Sequence, residues 1–134
     1  MDKVRGYIFS RPFMGERVPQ HVQNLVIRDY CQKHELQYLL SAVEYAMLES
    51  HLVIEQVLDE LLKSIDGIVM YSIFQLPEKR KQRNQIYNRI LESKGILHLA
   101  VEGLQIENER QKDRLEEIWL VRQSLPHSLT FKEN

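Results

Sequence analysis

Four short apolar runs, VRGYIFS (4–10), LQYLLSAV (36–43), GIVMYSIF (67–74) and ILHLAVEG (96–103), recur along the chain with a helix-length segment after each. That alternation constrains the fold more than any other feature of the sequence. Runs of this length, rich in valine, isoleucine and aromatic residues, predict strands. Strands separated by helices are joined by right-handed crossovers, so the pattern predicts a parallel sheet with helices on both faces. At 134 residues the chain fits one domain over 1–134, with a short C-terminal tail from about 125. A domain of that size buries roughly 65–70% of its unfolded surface, enough for one core.

The intervening segments carry helical periodicity. Pro19 suits a first helical turn, and Val22, Leu25, Val26 and Cys31 then recur near helical spacing, predicting a helix to about His34. A second helix is expected over about 48–64, with Leu48, Leu52, Val57, Leu58, Leu61, Leu62 and Ile65 inward and Asp66-Gly67 closing it. RKQRNQIYNRILESKG (80–95) predicts a third, with Gly95 as its cap. NERQKDRLEEIWLVRQ (108–123) predicts a charged last helix whose apolar face is Leu115, Ile118 and Trp119, extended by Val121 and the stem of Arg122.

Composition excludes several classes. No apolar run approaches the roughly 18 residues that a membrane-spanning helix needs, and MDKVRGYIF enters a strand pattern directly, so a cytoplasmic location and no membrane partner are expected. The net charge of -1 offers no broad phosphate-binding surface. Cys31 is the single cysteine, read as a buried filler in a reducing compartment. His21, His34, His51, His98 and His127 are scattered without ligand spacing, so no metal is expected. No GxGxxG fingerprint or P-loop is present, and no cofactor is expected.

In open α/β sheets a pocket lies beyond the carboxyl ends of the strands. Those ends supply Ser10 and Arg11, Glu44 and Tyr45, Tyr71 and Ser72, and Glu102. Arg11 is suited to gripping an anion in a bidentate fork. Ser10, Glu44 and Glu102 are the catalytic candidates, the serine as donor or nucleophile and the carboxylates as acid, base or cation ligand. Arg11, Arg17, Tyr45, Tyr71 and Ser72 are the binding candidates. Against this stands a structural reading in which Ser10 bonds backbone at the turn and the carboxylates hold backbone amides or Arg11. The 11–18 loop, with Phe13 and Met14 around Gly15, reads as a lid. The basic opening PEKRKQR (77–83) reads as a solvated face or an anion-docking patch.

GYIFS, GIVMYSIFQL and ESKGILHLAVEGLQI resemble the first strand, third strand and helix-glycine-strand passage of the serine recombinase (resolvase) catalytic domain. That family carries Tyr-x-Arg-x-Ser on its first strand and Asp-Arg-Leu-x-Arg after its third. Here Tyr7 is followed by Phe9 in the arginine position and Arg11 in the serine position, and Phe74, Gln75, Leu76 and Glu78 occupy the second motif. No helix-turn-helix follows the last helix. DNA recombination is therefore expected to be absent, and DNA is not an expected partner.

YIFSRPFMGERVPQHVQN, SAVEYA and LPEKR also resemble the sporadic carbohydrate cluster proteins, encoded among genes for bacterial surface-polysaccharide synthesis. That resemblance implies a small protein binding or acting on a sugar phosphate or nucleotide sugar. The alternative is a non-catalytic dimeric module docking on a larger glycan-biosynthesis enzyme. A homo-oligomer through the 108–123 helix, with Trp119 at the interface, is expected. The fold expected is α/β, a three-layer domain with a four-stranded, mainly parallel sheet of order 2-1-3-4, flavodoxin-like or resolvase-like.

Overall fold

The computed structural model describes residues 1–47, 49–61 and 63–125. The tail expected beyond 125, and Leu48 and Leu62 of the expected second helix, lie outside the described residues. Strands β1 (Lys3–Phe9), β2 (Gln37–Glu44), β3 (Gly67–Met70), β4 (Ile96–Leu99) and β5 (Leu104–Ile106) form one sheet. Its order is β2-β1-β3-β4-β5. The first four strands run parallel, as their helical crossovers require, and β5 is antiparallel to β4. The helices are α1 (Gln20–Lys33), α2 (Leu52–Leu58), α3 (Arg80–Ser93) and α4 (Glu109–Ser124). None of the described helices is long and apolar enough to cross a membrane.

The fifth strand corrects the expected count. ILHLAVEG, read as one strand, stops at Leu99 because Gly103 takes a positive φ of 67° and its amide donates to Leu99 O at 2.9 Å. The turn sends Leu104–Ile106 back along β4. Two other elements are shorter than their patterns. β3 ends at Met70, and Ile73–Gln75 closes into a 3₁₀ turn in which Ser72 Oγ accepts from Phe74 N at 3.1 Å. The second helix spans only Leu52–Leu58, because the residues before it loop back onto the end of β2.

The period-2 alternation of β1 and β3 divides the core. Tyr7, Phe9, Ile68 and Met70 face α2, α3 and α4, with Ile54, Ile86 and Trp119 packed against that side. Val4, Ile8 and Val69 face α1, which contributes Ile27, Tyr30 and Cys31. The buried face of α1 is Gln23, Ile27, Tyr30 and Cys31, whereas Leu25 is 61% exposed. The expected stripe through Val22, Leu25 and Val26 is thus rotated. A buried glutamine on that stripe is explained by the site below.

On β2 the register slips: Arg5 lies opposite Leu39 and Tyr7 opposite Ala42, so β2 carries one extra residue. The Leu40 carbonyl accepts instead from Arg5 Nη1 at 3.0 Å, and Leu40 is turned to solvent. A bulge on an edge strand is a guard against further strand pairing.

Candidate functional site

The end of β1 is held by a side chain from α1. Gln23 is fully buried; its Oε1 accepts from Phe9 N at 3.0 Å, and its Nε2 donates to Phe9 O and Val18 O, both at 2.9 Å. Gln75 Nε2 donates to the same Gln23 Oε1 at 2.7 Å, while Gln75 Oε1 accepts from Tyr71 N at 3.1 Å. Two buried amides therefore lock the exits of β1 and β3 together. An apolar residue at either position would strand buried backbone groups, each costing about 1–3 kcal/mol.

Between those exits the chain makes a tight hairpin. Phe13 N donates to Glu16 O and Glu16 N to Phe13 O, both at 2.9 Å, with Met14 and Gly15 at positive φ of 50° and 80°. Positive φ at both central residues is the two-residue hairpin geometry, which glycine accommodates. Phe13 is buried, edge-on to Phe9 at 5.6 Å and to Tyr71 at 6.0 Å. The expected lid is therefore a fixed wall. It separates two clefts.

The larger cleft has a volume of about 330 Å³ and is lined by Phe9, Arg11, Phe13, His51, Phe74 and Lys79 among others. Arg11 Nη1 donates to Tyr45 O at 2.9 Å, and its guanidinium lies 4.1 Å from the Phe9 ring centroid. His51 Nδ1 sits 3.1 Å from Glu49 O, which fixes it as the protonated nitrogen and leaves Nε2 as an acceptor. That Nε2 is closed off from solvent and has no hydrogen-bond partner among the described residues. Burial holds the imidazole pKa below its usual range, and the Arg11 charge adds to the effect against the Glu49 and Gln75 carbonyls and Glu44. The smaller cleft, about 200 Å³, is lined by Glu16, Tyr71, Ser72, Glu102 and Arg122 among others.

The residues expected at the site are divided between different tasks. Glu44 is 1% exposed and lies beneath the α2 N-terminus. Its Oε1 accepts from Tyr7 Oη at 2.7 Å and Ile54 N at 3.3 Å; its Oε2 accepts from Ser50 Oγ at 2.9 Å, Tyr45 N at 3.1 Å and Val53 N at 3.2 Å. Burial alone would raise the carboxyl pKa, but these hydrogen bonds outweigh it and hold it below the usual range. The same pair, with burial leading, pushes Tyr7 well above an ordinary phenol. Glu102 accepts from Ser72 Oγ and Ile73 N, each at 2.9 Å, capping the 3₁₀ turn. The two glutamates thus serve separate caps, so they do not form the shared acid/base pair.

Ser10 is exposed, its Oγ donating to Glu44 O at 2.9 Å. Tyr45 is half exposed and contributes its carbonyl to Arg11. Tyr71 and Ser72 meet Glu102 in the smaller cleft, where burial first, then Glu16 and Glu102, raise the Tyr71 pKa. Arg17 is exposed on the loop and lines neither cleft. Among the described residues no three His, Cys, Asp or Glu side chains converge as a metal site.

From the basic opening of α3, Lys79 reaches the larger cleft, but Arg83 turns inward. Arg83 is 2% exposed and pairs bidentately with Glu116 at 2.8 Å through Nε and Nη2. Nη1 donates to the Pro77 and Glu78 carbonyls, and the guanidinium lies 4.3 Å from the Trp119 ring centroid. Trp119 is fully buried against Phe74, which corrects its expected place on an interface.

The fold has solved counterparts. The N-terminal catalytic domain of TP901-1 integrase superposes with a TM-score of 0.62 at 13% identity, covering 90% of this chain and 94% of that one. A resolvase family site-specific recombinase from Streptococcus pneumoniae gives 0.65 at 7% identity, covering 99% and 95%. The fold is the resolvase catalytic-domain fold. No family model and no curated protein matches the chain.

The fold match overturns the expected function. The matching folds are recombinase catalytic domains, so the sugar-phosphate or nucleotide-sugar role, and docking on a glycan-biosynthesis enzyme, are corrected. The likeness to sporadic carbohydrate cluster proteins gains no support.

The positions aligned with the recombinase motifs converge in space: Phe9, Arg11, Phe74, Leu76 and Glu78 all line the larger cleft. Sequence reading missed this site's main features. His51 was one of five scattered histidines inside an expected helix, and nothing local marked it. Phe9 and Phe74 lay within the apolar runs of their expected strands, and Phe9 does belong to the core.

Proposed function

We propose that the larger cleft is a binding site for a small molecule with a flat ring. The observation that carries this reading is a cleft at the strand exits walled by Phe13 and Phe74 and bordered by the half-buried Arg11, which pairs with no carboxylate among the described residues. Aromatic walls favour a flat ring, stacked or edge-on. The volume of about 330 Å³ lies at the lower end of the roughly 300–1,000 Å³ of small-molecule sites.

The test is saturation-transfer NMR with phenol, benzoate, nicotinamide and adenine on wild type and Gln82→Trp. Gln82 lines the cleft and is exposed, so an indole there obstructs the opening without disturbing the core. Signal from at least one ring, lost in the variant, supports the site. Equal signal in both proteins sinks it.

A second reading takes its support from the fold. Ser10, exposed at the end of β1 one residue before the motif's serine position, would be a nucleophile toward a DNA phosphodiester if this chain shares the recombination chemistry of the matched integrase and recombinase. A detergent-resistant protein–DNA adduct that Ser10→Ala abolishes would establish it. Under the ring-binding reading no adduct forms. For partners, we propose a homo-oligomer through the solvent side of α4, where Leu120 and Val121 stand exposed beside Leu125.

A further inference from the structure

We propose that the smaller cleft binds a short aliphatic amino acid in its zwitterionic form. The ammonium would meet Glu16, the carboxylate would meet Arg122, and the apolar side chain would lie among Met14, Phe74 and Val101. This second site is independent of ring binding in the larger cleft.

One small cavity here is lined by charges of both signs that do not pair with each other. Glu16, Glu102 and Arg122 all border the cleft of about 200 Å³. Among the described residues Arg122 makes no salt bridge to either carboxylate, and Glu16 pairs with no cation. Arg122 is tethered instead to the hairpin: its Nη2 donates to Met14 O at 3.3 Å, and its guanidinium lies 6.0 Å from the Phe74 ring centroid. The negative charge gathers around Tyr71. Burial first, then Glu16 and Glu102, raise the phenol pKa, so both carboxylates act on that one hydroxyl and leave it a protonated donor. Glu102 is held by Ser72 Oγ and Ile73 N, each at 2.9 Å, and adds a fixed charge. Glu16 is exposed on the hairpin, so its carboxylate is the one available to an incoming cation.

Met14, Glu16, Tyr71, Phe74, Val101 and Arg122 all keep solvent contact, so the cleft is open to a molecule from outside. Its volume of about 200 Å³ lies below the roughly 300–1,000 Å³ of drug-sized sites, which restricts it to a small ligand. An ammonium donates to a carboxylate, and a guanidinium presents a planar fork to one. Either contact alone is weak at a solvent-accessible rim. A molecule that carries both charges makes both contacts while losing its translational freedom only once. A branched aliphatic side chain adds apolar burial against the walls.

The experiment is an NMR titration of the full chain with valine, glycine, isobutylamine and isovalerate. Isobutylamine is valine without its carboxylate, isovalerate is valine without its ammonium, and glycine lacks the side chain. Valine should bind about ten-fold more tightly than each of the other three, with amide shifts centred on Tyr71, Ser72, Val101 and Glu102. Arg122→Gln should lower valine to the affinity of isobutylamine and leave isobutylamine unchanged. Glu16→Gln should lower valine to the affinity of isovalerate and leave isovalerate unchanged. Neither side chain is buried, and the dispersion of the variants' amide spectra reports that each is folded. No valine binding, equal affinity for the four probes, or valine binding that neither substitution weakens overturns the proposal.

Discussion

Glu44→Gln is the substitution with the sharpest expected outcome. The carboxylate accepts five hydrogen bonds, two at Oε1 and three at Oε2. An amide can accept only at its oxygen. With its nitrogen on the Oε1 side, Tyr7 can rotate its hydroxyl to accept, but Ile54 N cannot. The reverse orientation strands both Tyr45 N and Val53 N. One orphaned buried donor costs about 1–3 kcal/mol, and the lost charge weakens the remaining bonds. The expected loss is about 3 kcal/mol at pH 7, or roughly 10 °C in Tm for a chain of this size.

The pH dependence supplies an independent check. The folded carboxyl titrates below its ordinary range, so its stabilisation is complete above the unfolded value of about 4.3. It is lost as pH falls through the folded value, because the unfolded chain takes up the proton first. Urea unfolding of wild type and variant at pH 7, 5 and 3.5 should show a difference that is constant between the first two and smaller at the third. Titrations common to both proteins cancel. A loss under about 1 kcal/mol at pH 7, or a difference unchanged at pH 3.5, would refute the reasoning.

Other outcomes follow from the same geometry. Arg83→Ala leaves the Glu116 carboxylate and the Tyr87 hydroxyl without their buried cation, so unfolding should be easier by about 3–5 kcal/mol, readable as a lowered urea midpoint. His98 is buried with its pKa pushed down to about 4, so it stays neutral in the folded state while the unfolded chain protonates below about 6.5. Stability should therefore fall by about 2 kcal/mol between pH 6.5 and 5, and His98→Leu should flatten that slope in parallel urea titrations. The proposed oligomer should dissociate on Val121→Asp when followed by light scattering across concentrations. A wild type that stays monomeric throughout sinks that interface. Trp119→Ala is the wrong probe, because it removes a fully buried side chain.

Strand positions were readable because buried parallel strands need continuous apolar runs, which stand out locally. The parallel direction of the first four strands followed from the crossovers, and their order from the likeness to flavodoxin-like and resolvase-like folds. The extent of each element did not. Nothing local in ILHLAVEG distinguishes one strand from a strand, a turn at Gly103 and a return strand. Likewise the stripe from Leu52 to Ile65 is helical in period, yet the helix ends at Leu58. Tertiary hydrogen bonds onto Glu44 and the β-bridge between Leu61 and Ile65 decide its limits.

Strand exits located the region of the clefts, and Arg11 lines the larger one. They could not separate groups presented to a ligand from groups spent on the fold. Glu44 and Glu102 are the same residue type at equivalent strand ends. Each is consumed by donors that arrive from other elements, α2 and the 3₁₀ turn. His51 carried no signal at all, since its surroundings are set by the Glu49 and Gln75 carbonyls and by Arg11, which only the fold brings together.

Local periodicity is a property of adjacent residues, and it was enough for the layered α/β class, the parallel core and the location of the strand ends. Which polar side chain is satisfied and which is left open depends on partners distant in sequence: Gln23 with Gln75, Glu44 with Val53 and Arg83 with Glu116. Only the folded chain brings those pairs together. The cleft is what remains between the strand exits once they have met.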